Sequence, residues 1–159
     1  MAEKSEREKA QRVVADNRKA FHDYHVLETW EAGLVLLGTE IKAIREGRVN
    51  LRDSYARVEN GEVWLANVHI SPYSHSGYAS HEERRQRKLL MHKHEINKLT
   101  GLVREKGLTL VPLQLYFKNG RLKASVALVK GKQAHDKRET IRRREVDRET
   151  RAAVKARQR

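Results

Sequence analysis

Several residue types and segments are scarce in this chain of 159 residues, and each absence excludes a class of protein. There is no cysteine, which excludes disulfides and thiolate metal sites and agrees with a reducing compartment. No apolar run approaches the roughly 20 residues that a membrane-spanning helix needs. The first residues, MAEKSEREKAQ, lack the apolar core of a secretory signal. We therefore expect a cytoplasmic protein without a membrane segment.

The motifs of common enzyme classes are also missing. There is no glycine-rich phosphate loop and no nucleophile motif. Glu31, Glu40 and Asp53 could serve a nuclease, but such carboxylates more often cap helices or pair with cations. The eight histidines, His92 and His94 among them, offer no spacing with the further ligands of a zinc site. We expect no enzymatic activity, no cofactor and no metal, with a nuclease as a distant alternative.

Positive charge, by contrast, is abundant and unevenly distributed. The chain holds 34 Lys and Arg against 21 Asp and Glu, a net charge of +13. Twelve basic and five acidic side chains lie in residues 130–159 alone. Such a surplus indicates a polyanionic partner. The few aliphatic residues of this segment are too small an anchor for a membrane surface. Nucleic acid is therefore the expected partner.

The apolar residues divide the chain into three regions. Residues 1–16 are highly charged and short of apolar side chains, which predicts a flexible N-terminal arm. Residues 17–129 hold the β-prone apolar runs and are expected to form the folded body. Residues 130–159 form a basic C-terminal tail with little to bury.

Two hairpins are predicted within the body. Asn60-Gly61 and Asn119-Gly120 each separate two β-prone runs, and Asn-Gly favours the type I′ turn. Pro112 predicts an edge or a bulge in the strand that contains it.

Short helices interrupt the strands. Thr39 is a candidate N-cap for a helix that ends at Gly47, and a second helix is predicted from about Lys93 to Lys106, ending at Gly107. Gly33 marks a candidate bend or bulge. Strands without βαβ alternation predict a mainly β, OB-like antiparallel barrel with two to three accessory helices.

Three basic clusters favour RNA. The segments NRKAFHDYH, RRQRKLLMHKH and YFKNGRLK interleave basic residues with aromatic rings and amides. Basic side chains contact phosphates, whereas rings stack on bases.

The tail carries a weak helical pattern. Glu139 with Arg143 and Asp147 with Arg151 lie four residues apart, and such pairs stabilise a helix by roughly 0.2–0.5 kcal/mol each. This is too little to hold an isolated helix in water. We expect the tail to be disordered when free and helical against a polyanion.

Longer motifs resemble one family. The segments NRKAFHDYHVLETWEAGLVLLGTEIKAIREGRVNLRDSY, RKLLMHKHEI, GLTLVPLQLYF and KGKQAHDKR occur in an order and spacing that resemble the SmpB family, the SsrA-binding proteins of bacterial trans-translation. The resemblance runs from about Asn17 to Arg138.

The resemblance implies a non-enzymatic protein with an OB-like body. It implies binding to the tRNA-like domain of tmRNA and delivery of alanyl-tmRNA, with elongation factor Tu, to a stalled ribosome. Alanyl-tRNA synthetase is an indirect partner through tmRNA. The tail is implied to enter the vacant mRNA channel of the small subunit, become helical there on the ribosome and contact ribosomal RNA. The alternative is a general RNA chaperone or ribosome-associated RNA-binding protein with an OB-like body.

The resemblance also implies site residues. The tmRNA-binding set is Asn17, Arg18, Lys19, His22, Tyr24, Glu31, Leu90, His92, Lys118 and Lys123. The tail set, expected in the ribosomal decoding region, is Lys130, Gly131, Lys132, His135, Asp136, Lys137, Arg138, Arg142, Arg143 and Arg144. Within these sets, Leu90 is expected to be core rather than contact, and Asp136 is expected to cap the tail helix. Glu31 could accept a guanine donor or orient a neighbouring cation.

Overall fold

Nine strands and four helices make up the part of the chain that the structure describes. The computed structural model describes residues 11–75, 80–104, 108–132 and 134–157, without the side chains of 134–136. The strands are β1 Gln11–Asp16, β2 Tyr24–Leu34, β3 Val49–Asn50, β4 Tyr55–Glu59, β5 Glu62–Ala66, β6 His69–Ile70, β7 Arg87–Leu90, β8 Leu108–Lys118 and β9 Arg121–Gly131. The helices are α1 Arg18–Asp23, α2 Gly38–Arg45, α3 Lys93–Val103 and α4 Ala134–Arg157.

The main sheet is antiparallel and closes on itself. Its order is β1-β8-β4-β5-β7-β2-β9, and β8 also pairs with β9. One edge of β8 carries β1 and β4, whereas the other carries β9. β3 and β6 form a separate two-stranded ladder. This arrangement confirms the predicted OB-like architecture, in which closure removes free sheet edges.

Local turn chemistry sets the register of the two hairpins. Asn60 and Gly61 have φ angles of 50° and 74°, and Asn119 and Gly120 have 51° and 77°. Positive φ at both central residues defines the predicted type I′ turns.

Both long strands that pair with β9 are bulged. The register of β8 shifts between Pro112 and Gln114, which confirms the predicted irregularity at the proline. The irregularity of β2 lies between Val26 and Glu28 rather than at Gly33. Gly33 instead pairs regularly with Lys123 on one side and with a residue of β7 on the other. The predicted bulge at Gly33 was therefore wrong, and the alternative of a bend there stays a prediction.

The core fills the interior and one outer face of the sheet. Its main cluster includes Ile44, Val63, Leu65, Leu99 and Val126, all fully buried. Each such side chain contributes about 1.5–3 kcal/mol relative to exposure. A second cluster packs α1 on the outside of β8 and β9 and consists of Ala20, Val111, Leu113, Ala127 and Val129.

A buried ion network ties α2 to β7. The guanidinium of Arg87 is fully buried; its Nε donates to Glu40 Oε2 at 2.6 Å and its terminal nitrogen to the Val68 carbonyl at 2.6 Å. Arg85 donates to the other carboxylate oxygen of Glu40. Burial alone would raise the pKa of Glu40, but hydrogen bonds from Leu37 N–H and the two arginines hold it below its ordinary value. Buried charge is tolerated here because it is paired.

Two helix predictions require correction. α2 begins at Gly38 and its N-cap position is Leu37, so Thr39 is not the cap. The carboxylate of Glu40 accepts the Leu37 N–H at 2.9 Å, which satisfies that donor from within the helix. α3 begins at the predicted Lys93, but it ends at Val103. The predicted stop at Gly107 lies outside the described residues.

The chain termini differ in part from expectation. Residues 11–16 form β1 and pair with β8, so this part of the predicted arm is ordered; residues 1–10 lie outside the described residues. The tail forms the helix α4. Its disorder when free and its helicity on the ribosome stay predictions. Among the helices of the described ranges, none has the length and apolarity to span a membrane.

Candidate nucleic-acid interface

A concave site of about 570 Å³ opens where β2, β7, β9 and α3 meet, and we call it the Glu31 pocket. Strand pairing places its members side by side, because Glu31 faces Ser125 and Gly33 lies between Leu90 and Lys123. The lining residues are Glu31, Gly33, Gly61, Glu62, Lys88, Leu89, Leu90, Met91, His92, Glu95, Ile96 and Lys123. Four members of the predicted tmRNA-binding set therefore come together here.

The carboxylate of Glu31 is fixed by neighbours on the adjoining hairpin. Tyr116 donates its hydroxyl to Glu31 Oε2 at 2.5 Å, and Lys118 Nζ lies 3.3 Å from the same oxygen. The Tyr116 hydrogen bond, more than the charges of Lys118 and Lys123, holds the pKa of Glu31 below its ordinary value, although burial acts in the opposite direction. The Glu31 carboxylate is therefore ionised at neutral pH, and its orientation is fixed by the donors Tyr116 and Lys118.

Tyr116 is buried, and the pKa of its hydroxyl is shifted as well. Burial and the adjacent Glu31 carboxylate raise the pKa of its hydroxyl well above the ordinary value of 10.0, so that it acts as a donor throughout the physiological range. Tyr116 belongs to the predicted basic and aromatic segment YFKNGRLK, but its link to Glu31, 85 residues away, was missed.

Leu90 is exposed, contrary to the expectation that it belongs to the core. It is 52% accessible, whereas Leu89 beside it is 1% accessible. In β7 the inward positions are held by Arg87 and Leu89, because Arg87 meets Glu40 inside. Leu90 therefore offers an apolar surface at the Glu31 pocket, suited to stacking against a base or ribose rather than to core packing.

Aromatic groups and cations also lie at the start of α3 and between α3 and β2. The rings of His92 and His94 are stacked with centroids 5.5 Å apart. The ammonium of Lys98 lies 5.8 Å from the ring centre of Trp30, a cation–π arrangement. Bases of an unpaired RNA segment stack on such exposed rings.

A second site lies against α1, and we call it the α1 pocket. It encloses about 250 Å³ and is lined by Asn17, Lys19, Ala20, Asp23, Tyr24, Asp53, Ser54, Tyr55, Thr109 and Val111. Lys19 Nζ is 2.8 Å from Asp53 Oδ1 across this pocket. Seven of the ten residues of the predicted tmRNA-binding set thus line two separate pockets, whereas Arg18, His22 and Lys118 line neither.

Two of the predicted residues at α1 differ sharply in exposure. Asn17 is 6% accessible, and its amide donates to the Pro112 carbonyl at 2.9 Å. The side chain of Arg18 is 92% exposed and lies 3.8 Å from Asp16. Asn17 thus anchors the helix, whereas Arg18 is available to a phosphate.

The base of the tail adjoins α1. Gly131 pairs with Tyr24, and Lys130 pairs with His25, at the ends of β9 and β2. Lys137 Nζ lies 3.5 Å from Asp23 Oδ1.

The remaining tail residues offer an open basic surface. Arg138, Arg142, Arg143 and Arg144 are exposed on α4, and Arg143 donates to Glu139 at 2.8 Å. α4 begins at Ala134, so Asp136 lies inside its first turn rather than at a cap position. The side chains of His135 and Asp136 lie outside the described part of the chain.

The three carboxylates considered for a nuclease occupy different settings. Glu40 is buried between two arginines, Asp53 is paired with Lys19, and Glu31 is held by Tyr116. Each is thus engaged with a basic or phenolic neighbour, as expected for structural carboxylates. Among the described residues, no group of three or more His, Cys, Asp or Glu is placed to hold a metal ion.

A family model described as SmpB protein matches residues 14–156, which include both pockets and nearly all of α4. The chain belongs to the SmpB family. The SsrA-binding protein of Carboxydothermus hydrogenoformans is 58% identical over 147 residues, covering 92% of this chain and 99% of the relative. That of Trichodesmium erythraeum is 55% identical, covering 98% and 99%.

A solved structure supports the same SmpB placement. It is described as "tmRNA-SmpB: a journey to the center of the bacterial ribosome" and is 50% identical to this chain. The match covers 80% of this chain and 94% of that one, with a TM-score of 0.66. The resemblance inferred from the sequence motifs is therefore confirmed at the level of family and fold.

Proposed function

We propose that this protein binds tmRNA and acts in trans-translation at the bacterial ribosome. The observation that carries this proposal is membership of the SmpB family across residues 14–156, with relatives named SsrA-binding proteins and a structural neighbour named for tmRNA and the ribosome. The partners are RNA and the ribosome, which agrees with a net charge of +13. A ribosomal partner also implies work in the cytoplasm.

The Glu31 pocket is the proposed contact for the tRNA-like domain of tmRNA. It combines a fixed carboxylate, the exposed Leu90 and the basic side chains of Lys118 and Lys123. A carboxylate would repel phosphate, so its place is opposite a base edge, where it accepts N–H donors. The lysines supply the phosphate contacts around it. His92, at the rim, is placed to stack.

The α1 pocket and the tail base form the proposed second surface. Its basic and aromatic members on or next to α1 are Arg18, Lys19, His22 and Tyr24. Lys132 and Lys137 contact the end of the same helix. A body with two separate RNA-contacting surfaces suits a bridging role between tmRNA and the ribosome. Delivery of alanyl-tmRNA with elongation factor Tu, after charging by alanyl-tRNA synthetase, is the step in which this bridging would be used.

The tail is proposed to enter the vacant mRNA channel as a helix. Its arginines are exposed on α4, and the opposite-sign pair of Glu139 and Arg143, four residues apart, supports the helix. Ribosomal RNA would supply the negative charge that offsets the mutual repulsion of the basic side chains. No chemistry is assigned to any residue, because the proposed role is recognition rather than catalysis.

A binding titration tests the proposal. The full chain is titrated with the tRNA-like domain of tmRNA and with an ordinary tRNA, at two salt concentrations. Backbone contacts alone would give similar affinities and parallel, steep losses with salt. We expect a preference for the tmRNA fragment that persists at the higher salt concentration. Equal affinity for both RNAs would overturn the proposal in favour of a general RNA chaperone.

A further inference from the structure

Helix α1 is mounted firmly on the barrel. The backbone N–H of Asn17 donates to the Leu113 carbonyl at 2.8 Å, and its side-chain amide donates to the Pro112 carbonyl at 2.9 Å. Ala20 is 3% accessible and packs in the outer cluster with Val111. A segment held by both hydrogen bonds and buried apolar contacts is a stable base for whatever binds to its far end.

The start of the tail contacts the C-terminal end of α1. The backbone N–H of Lys132 donates to the Asp23 carbonyl at 2.9 Å. Its ammonium donates to the Phe21 carbonyl at 3.0 Å and to Thr140 Oγ1 at 2.7 Å, so one side chain bridges body and tail. Lys137 Nζ lies 3.5 Å from the Asp23 carboxylate. The last carbonyls of a helix have no partner within it, and the tail supplies partners to two of them.

The Asp23 carboxylate is shared between α1 and the tail. His22 Nδ1 lies 2.9 Å from the same oxygen that faces Lys137. The His22 contact, with smaller contributions from the charges of Lys137 and Lys19, lowers the pKa of Asp23 against the opposing effect of burial. Asp23 is therefore ionised at neutral pH and can hold a cation of the tail.

Contact between tail and body ends within two turns. Among the described side chains of α4, Lys137 and Thr140 are half-buried, whereas those from Ile141 to Arg157 are all exposed. The segment beyond Thr140 is about 26 Å long at the rise of an α-helix. Its direction can be set only at its base, where a tilt of about 10° would move its end by roughly 4–5 Å.

The first step of helix formation is unfavourable, and the contacts of Lys132 and Lys137 with α1 can lower its free-energy cost. Fixing the first turn orders several residues for a single hydrogen bond, whereas each later residue adds one bond. We propose that Asp23 and Lys132 form a clasp that nucleates the tail helix on α1 and fixes the direction in which it grows. Residues up to Thr140 are then ordered before RNA arrives, and the rest of the tail extends from this nucleus on RNA. Both residues are positioning residues, and the purpose of the clasp rests on the proposed entry of the tail into the mRNA channel.

Amide hydrogen exchange, followed by NMR in the free full-length protein, tests the clasp. We expect amides of residues 138–144 to exchange more slowly than those of 150–157. Asp23→Asn removes the charge that holds Lys137, and Lys132→Met removes the bridging ammonium but keeps the backbone N–H. Each should speed exchange at 138–144 by roughly fivefold, the effect of one net hydrogen bond. Body amides should keep their protection.

Glu139→Gln is the matched control. It neutralises one carboxylate, as Asp23→Asn does, but removes only the pair with Arg143 inside the tail. Its effect on exchange should stay within about twofold. Equal protection at 138–144 and 150–157 in the unaltered protein, or no response to Asp23→Asn, would overturn the clasp.

Functional assays separate the clasp from the proposed function. Asp23 lines the α1 pocket, so the affinity of Asp23→Asn for the tmRNA fragment is measured beside tagging. Tagging of stalled nascent chains should fall severalfold more than that affinity. Normal tagging by this variant would contradict a positioning role. Failure of the unaltered protein to prefer tmRNA would instead refute the proposed function, with the exchange result still deciding the clasp.

Discussion

Around Glu31 the polar groups are bonded to one another in the absence of any partner, whereas beyond Thr140 the charged side chains of the tail face solvent. Tyr116 and Lys118 hold the Glu31 carboxylate from the neighbouring hairpin. A site that is already arranged loses little conformational entropy on binding and can select for shape. A tail that becomes ordered only on its partner loses more conformational entropy, so its affinity depends on the neutralisation of charge. We therefore propose that selectivity for tmRNA belongs to the body and that the tail senses an open channel.

Arg87→Met gives the largest expected effect and tests how far the body's order depends on buried charge. The change leaves the buried Glu40 carboxylate with the Leu37 N–H and with one of its two arginine partners, Arg85. Breaking a buried pair in this way costs about 3–5 kcal/mol in the free energy of unfolding. Urea denaturation followed by circular dichroism measures this loss.

Lys88→Met is the control for that experiment. Lys88 is the next residue in β7, but its ion pair with Glu62 at 3.0 Å is partly exposed. Its loss should change the free energy of unfolding by less than about 1 kcal/mol. Similar losses for both variants would mean that the buried network has no special role.

Glu31→Ala has the next largest expected effect and tests whether the Glu31 pocket binds tmRNA. The mutation removes the acceptor that Tyr116 and Lys118 share, and we expect affinity for the tmRNA fragment to fall roughly tenfold, or about 1.4 kcal/mol. Glu28→Ala is its match, since Glu28 is an exposed carboxylate of the same strand, bonded to Lys98 at 2.7 Å. Glu28→Ala should bind within about twofold of the unaltered protein. If Glu31→Ala unfolds without a cooperative transition, Glu31 is structural.

Tyr116→Phe separates the effect of the orientation of the Glu31 carboxylate from the effect of its charge. The variant keeps Glu31 and the ring but loses the hydroxyl donor. We expect a smaller loss of tmRNA affinity, roughly threefold, because Lys118 still holds the carboxylate. An equal loss for Tyr116→Phe and Glu31→Ala would show that orientation alone accounts for the effect of Glu31.

The smallest effect is the pH dependence that Glu40 confers. Its pKa in the folded protein lies below its ordinary value of 4.5, because Leu37 N–H, Arg85 and Arg87 together outweigh burial. The stabilisation is therefore fully present above pH 4.5 and is lost as pH falls through the folded pKa. Urea midpoints measured between pH 6 and pH 3 should decline, and less steeply in Glu40→Gln. A decline of equal slope in both proteins would assign it to other carboxylates.

Local chemistry allowed much of the fold to be predicted. Asn60-Gly61 and Asn119-Gly120 tolerate positive φ, and a proline cannot donate to a strand ladder, so the turns and the bulge of β8 followed from those residues alone. The family motifs identified the fold class, and seven of the 22 residues that line the two pockets belong to the predicted site sets.

Long-range pairing could not be predicted. Leu90 is apolar and Arg87 is charged, so residue type favours a buried Leu90 and an exposed Arg87, the reverse of what the structure shows. Arg87 can be buried because its guanidinium pairs with Glu40, which is distant in the sequence. The link between Tyr116 and Glu31 depends on three strands meeting in one sheet. The β1 strand was missed because its charged residues gain order from β8 rather than from their own composition.

Truncation after Lys130 tests the division of labour between body and tail most directly. The shortened protein keeps the Glu31 pocket and α1 but loses the clasp and α4. Its affinity for the tRNA-like domain of tmRNA and its support of tagging on stalled ribosomes are measured beside the full chain. We expect affinity within about threefold of the full chain, since few of the tail's charges would contact tmRNA, and no tagging. Loss of tmRNA affinity together with tagging would contradict the account.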